Sequence, residues 1–170
     1  MTNVVGLDYA KPILNFQGTV DDELLETVIG QAEAIVVEKY GPLVATALTK
    51  RVIARGGKLV LPVVPVISVT TVTAVESGTV VDVTDANLVN LGAGVIMVTG
   101  VSDGVAFDVV YQAGYSTTPE ALKRAVVEVA RYLWRPLQGP QVNGQAVDAS
   151  MAALRMADYL MAPYRMAGFA

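Results

Sequence analysis

The stretch that most constrains this chain runs from Val105 to Pro136, VAFDVVYQAGYSTTPEALKRAVVEVARYLWRP. It reads as a strand, a tight turn and an amphipathic helix blocked by proline. Val105, Phe107, Val109 and Tyr111 share one face of an extended chain, because side chains alternate along a strand. Val110 adds an apolar residue to the opposite face, so the strand is expected to be covered on both sides near its end. Gly114 allows a backbone turn closed to other residues. Thr118 is placed to cap the helix, Pro119 to occupy its first position, and Glu120 to sit in the first turn, where the helix dipole favours an anion. Leu122, Ala125, Val126, Val129, Ala130, Leu133 and Trp134 then recur at helical spacing. Pro136 ends or kinks the helix near Arg135.

A second helix is expected over Thr19 to Tyr40. Thr19 can cap it, and Asp21, Asp22 and Glu23 load its first turn with negative charge. Leu24, Leu25, Val28, Ile29, Ala32, Ile35, Val36 and Tyr40 make a wide apolar face, and Gly41-Pro42 stops it. Before it, residues 1–18 show no sustained period. They read as an extended lead-in, either a docking peptide carried by Asp8, Tyr9 and Pro12 or an arm lying on its own domain.

Between the two helices the residues favour β-structure. Leu43 to Val52 is ambiguous between a short helix and an extended segment. Arg55-Gly56-Gly57-Lys58 reads as a hairpin turn, since a Gly-Gly pair supplies the positive φ values required there. Val66 to Glu76 is rich in β-branched residues. Val80 to Val83, Leu88 to Leu91 and Val95 to Thr99 are short strands set off by turn residues. A last helix is expected from Ala149 to Tyr164, capped by Asp148 or Ser150, with methionines widening its apolar surface. The expected fold class is α+β: a small helical bundle (N-terminal helix, helix 119–135, C-terminal helix) with an inserted antiparallel β-meander at 49–115. The domain limits are a lead-in at 1–18, a main domain at 19–136, and a linker with a C-terminal helical arm at 137–170.

Composition narrows the function classes. The chain has no cysteine and no histidine, which removes thiolate chemistry and the commonest general base and metal ligand. Twelve Lys and Arg stand against sixteen Asp and Glu, a net charge of −4, which argues against gripping nucleic-acid phosphates. Apolar residues make up 53% and charged residues only 16%, and the mean hydropathy is +0.48. The longest apolar run, Leu59 to Ile67, contains two prolines and is far short of the roughly 20 residues that span a bilayer. Asp8 and Lys11 interrupt any secretory signal. So apolar a chain with so few charges is expected to hide surface against neighbours, and self-association is the economical reading.

No constellation makes a convincing active site. Gly92-Ala93-Gly94 lacks the third glycine and following helix of a dinucleotide site, so a turn is expected. Asp82 and Asp85 offer two oxygens where a calcium ion needs six or more. Ser116 has no GxSxG frame and no histidine to activate it. Lys50, Arg51, Arg55 and Lys58 cluster at the hairpin, either as a solvated turn or as a contact for an acidic partner or DNA. The methionine-rich last helix can lie in a partner's groove or fold back as core.

The acidic N-terminal helix, then LPVVPVISVTTVT (Leu61 to Thr73), then VVYQAGYSTTPEALKRAVVEVARYLW (Val109 to Trp134) together resemble the head–tail connector proteins of tailed bacteriophages and gene transfer agents. These are also called adaptor or head completion proteins. The resemblance covers Thr19 to Arg135 and leaves residues 137–170 unmatched. It implies a non-enzymatic virion protein without cofactor or metal, made in the host cytoplasm. Such a protein forms a twelve-subunit ring in the neck, joining the portal to the tail or a stopper. DNA passes through the ring without specific binding, and no membrane is involved. The resemblance further implies portal docking by the C-terminal segment, expected here on Met156, Leu160, Tyr164 and Phe169. Contact between ring neighbours is expected on Leu25, Ile29, Val36, Val126, Val129 and Leu133. A tail-side completion protein is the nearest alternative. A small ligand-binding β module or carboxylate enzyme is the alternative from another class, and would show a deep pocket of convergent polar groups.

Overall fold

Helices come from both ends of the chain and strands from its middle. The computed structural model describes residues 4–81, 94–97, 102–134 and 145–164. The expected strand at Leu88–Leu91, the Asp82/Asp85 pair, Pro136 and Phe169 lie outside the described residues. Two compact units emerge: residues 1–40 with 118–165 form a helical unit, and residues 41–117 with 166–170 form a β unit. The α+β class with an inserted antiparallel sheet is thus as expected.

In the helical unit, α1 spans Leu7–Leu14, α2 Asp22–Tyr40, α3 Glu120–Trp134 and α4 Gln145–Met161, followed by a 3-10 turn at Ala162–Tyr164. Helix α1 corrects the expectation of an extended lead-in. Eight residues with an internal Pro12 are too short to be helical alone; packing of Ala10, fully buried, supplies the missing support. Asn15 closes the helix in the left-handed conformation, and the Phe16 N–H donates to the Lys11 carbonyl at 2.9 Å. Helix α2 starts three residues later than expected because its first full-turn bond runs from Leu25 N–H to the Asp21 carbonyl. The Thr19 carbonyl accepts only a shorter three-residue turn from Asp22.

Leu25, Val28, Ile29, Ala32, Val36 and Tyr40 of α2 are buried, as are Leu122, Ala125, Val126, Val127, Val129 and Ala130 of α3. In α3 the Lys123 N–H donates to the Pro119 carbonyl, so the helix begins one residue after the expected start, and Thr118 is buried. Helix α4 begins at Gln145, ahead of the expected Asp148/Ser150 cap, since Asp and Ser are tolerated inside a helix at a modest propensity cost. It packs along α3, burying Ala153, Ala157 and Met161.

The β unit holds β1 (Thr46–Ile53), β2 (Lys58–Val60), β3 (Val66–Ala74), β4 (Val80–Val81), β5 (Val95–Met97) and β6 (Ala106–Ala113). Within Leu43 to Val52 the chain is strand from Thr46 onward and irregular before it, not helix. Four strands form one antiparallel sheet in the order β1-β6-β3-β4, and β2 pairs with β5 as a separate ribbon. Only β3 and β4 are both successive in the chain and neighbours in a sheet among the described strands, which refines the simple meander. Strand β6 is central: Phe107, Val109, Tyr111 and Ala113 are buried and alternate with less buried residues, and the exposed Gln112 near its end corrects the expectation of cover on both sides there. Each large side chain so buried contributes roughly 1.5–3 kcal/mol. Leu59 and Ile96, opposite each other in the ribbon, join this core with Val52, Val66 and Val72.

Gly114 ends β6 at φ +111°. A Cβ there would collide with the Val44 carbonyl oxygen and lie 2.8 Å from its carbon and 3.0 Å from the Pro42 oxygen. Only glycine lets these two backbone segments approach so closely.

Candidate functional site

The polar features of the helical unit form a frame rather than a reactive centre. Glu128, only 2% exposed, sits inside α3 between two arginines on its own helix. Arg124 Nε donates to its Oε1 at 3.0 Å and Arg131 Nη1 to its Oε2 at 2.7 Å. The second Arg131 nitrogen donates to the Ile13 carbonyl at 2.6 Å, so this buried carboxylate orients the arginine that holds the end of α1. A buried charge is tolerated only when it is paired and hydrogen-bonded, and here both oxygens are.

Further ties hold residues 4–18. Lys11 Nζ lies 2.6 and 2.7 Å from the two Asp22 oxygens and 2.9 Å from the Gly18 carbonyl. The Val5 N–H donates to Glu33 Oε1 at 2.8 Å. Burial pushes the Glu33 carboxyl above its ordinary value, partly offset by the backbone N–H groups of Val5 and Val4. Burial, and the bond it donates to Glu120, push the Tyr9 hydroxyl up to about 12. Glu120 is correspondingly held low, first by the Tyr9 hydroxyl. Phe16 meets Trp134 edge to face, 5.5 Å between ring centres. Sequence reasoning missed this frame. Its one readable signal was Arg124, Glu128 and Arg131 at helical spacing.

Helix α4 is tied to the end of α2 through Asp158, whose Oδ1 accepts from Lys39 Nζ at 2.8 Å and from the Tyr40 hydroxyl at 3.1 Å. The Asp158 bond raises the Lys39 pKa. Opposite its buried stripe, α4 carries an open hollow of about 590 Å³ lined by Met151, Ala152, Arg155, Met156 and Tyr159. Tyr159 is 76% exposed and Met156 50%. Leu160 and Tyr164 are half-buried.

The six residues expected to face ring neighbours fall differently. Leu25, Ile29, Val36, Val126 and Val129 are buried in the helical unit's own core, and Leu133 is half-buried. Their apolar surface is taken up inside the chain, because helical periodicity marks the apolar face but not what covers it. The exposed apolar residues of the same helices are Leu24, Ile35 and Val37 on α2 and Tyr132 on α3.

In the β unit, Arg51 is held by a two-pronged pair with Asp108 opposite it on β6, at 2.8 and 2.9 Å. That pairing holds the Asp108 carboxyl below its usual value. The Gly-Gly turn is as expected, with Gly56 and Gly57 at φ +58° and +68° and Arg55 bridged to Lys58. Among the described residues no three acidic side chains gather as a cation site, and no helix is long and apolar enough to cross a membrane.

Together these features define a two-unit α+β chain that exposes apolar side chains on its helices and on its strands. No protein-family profile and no curated sequence matches the chain. Its fold is that of a chain in the neck of a native gene transfer agent particle computed with C12 symmetry. The TM-score is 0.58 at 20% identity, covering 100% of this chain and 95% of that one. A chain in the virion of a native gene transfer agent particle matches at TM-score 0.56 and 20% identity, over 91% of this chain and 82% of that one. At such identity the likeness is one of fold.

Proposed function

We propose that this chain is a structural subunit of the neck of a tailed-phage-like particle. Twelve copies form a ring between the portal and the tail or a stopper, and DNA passes through it. The carrying observation is the fold match over the full chain to a chain of a neck computed with C12 symmetry. The exposed Leu24, Ile35, Val37 and Tyr132 are apolar surface on α2 and α3 that ring neighbours would cover. The net charge of −4 suits a protein that DNA must slide past, because like charges do not stick. The proposed portal contact is the outer face of α4 around Met156 and Tyr159, together with the half-buried Leu160 and Tyr164 and the Phe169 that follows in the sequence. The subunit is made in the host cytoplasm and ends in the virion neck.

Purified portal supplies the test. The full chain is expected to bind it, and Met156→Glu with Tyr159→Glu, both at exposed positions, should weaken binding at least tenfold while leaving the helical content unchanged. A full chain that ignores the portal contradicts the function. A variant that binds as well as the parent contradicts only the role of α4.

A further inference from the structure

The charge of this chain is segregated. Residues 50–58 carry Lys50, Arg51, Arg55 and Lys58 and no carboxylate, while the rest of the chain carries eight cations against sixteen carboxylates. All four cations of residues 41–117 therefore lie around one hairpin. Arg51 is already committed to Asp108. Asp103, the other nearby acid, is committed to the backbone instead, accepting from the Gly56 N–H at 2.6 Å. Lys50, Arg55 and Lys58 are exposed, and among the described residues none has a carboxylate within salt-bridge distance.

Lys50 stands on β1, opposite Val109, and the turn that carries Arg55 and Lys58 beyond the end of that strand is braced. Arg55 and Lys58 exchange backbone bonds at 3.0 and 3.1 Å, the Ala54 N–H donates to Val105, and the Gly104 N–H donates to Ala54. Three unspent cations thus stand on a fixed backbone, where little conformational entropy is lost on contact.

A matching surface exists on the same chain. Asp21, Asp22, Glu23 and Glu26 open α2 without an intervening cation. Lys11 neutralises Asp22, and the exposed Asp21 and Glu23 remain, near a helix N-terminus whose dipole only partly offsets them. We infer that the Lys50/Arg55/Lys58 tip of one copy docks on the Asp21/Glu23 surface of the next copy. This rests on the ring proposed above. Copies in a closed ring meet through two different faces, so one chain must supply both halves, and opposite charges fix which faces meet and in what register. DNA is the weaker partner: three free cations flanked by Asp103 and Asp108 offer few phosphate contacts.

The test uses charge swaps in the full chain with purified portal, counting copies per portal by native mass spectrometry. K50E/R55E/K58E should weaken ring formation about tenfold, the equivalent of two exposed pairs, and D21K/E23K should do the same. Mixing the two should restore the ring, since an alternating order pairs every tip with an opposite charge. Circular dichroism spectra matching the parent confirm that each variant is folded. The inference is overturned if the swapped-tip variant assembles like the parent, or if it assembles normally but loses retention of double-stranded DNA. If the parent itself forms no ring, the function proposed above fails instead.

Discussion

The helical and β units solve the same problem, holding a modest core together, with opposite means. The β unit is apolar at its centre. Phe107, Val109, Tyr111 and Ala113 of the central strand are covered by apolar neighbours, and the unit's side-chain ties, Arg51 to Asp108 and Asp103 to the Gly56 N–H, lie at the exposed surface. The helical unit adds charge to its apolar core: Glu128 is buried with two arginines, and α1 is fastened by Lys11, Arg131, Glu33 and Tyr9. An apolar core tolerates conservative exchange but not a misplaced backbone, whereas a polar frame fails when one partner is removed.

The largest expected break is in the β unit. Gly114→Ala places a Cβ against the Val44 carbonyl at a φ that side chains rarely adopt, so stability should fall by about 3 kcal/mol or more, read by urea unfolding. Glu128→Ala should cost about 2 kcal/mol, less than a fully buried pair would, because both arginines reach solvent. Its signature is selective, since α1 should gain amide exchange while β6 stays protected.

How much of this was legible follows the same division. Alternation in β6 and the 3.6-residue period of α3 reflect burial along one element, which a sequence displays directly. The Gly56-Gly57 turn was legible because its φ values require glycine. Helix α1 was not, because its support comes from residues such as Arg131, 118 positions away from the Ile13 carbonyl it holds. The residues expected to face ring neighbours illustrate a related point: periodicity finds the apolar side of α2 and α3, and the chain itself covers five of the six.

Two smaller effects sharpen the contrast. Phe16→Ala removes the edge-to-face partner of Trp134 and should cost about 1 kcal/mol, with a shift in tryptophan emission. The Tyr9 hydroxyl ionises near 10 when free and at about 12 in the fold. Its folded value is the higher one, so its contribution is complete below pH 10 and is lost as pH rises towards 12. An ultraviolet phenolate titration should show this tyrosine ionising late, and Tyr9→Phe should reduce the late component by one tyrosine while leaving that of Tyr111, whose hydroxyl burial also pushes up.

The mass of the chain alone and with its portal tests the central claim most directly. The account predicts that purified portal gathers twelve copies of the chain into one closed ring. A portal that binds none, or an open series of copy numbers without a maximum at twelve, would contradict it.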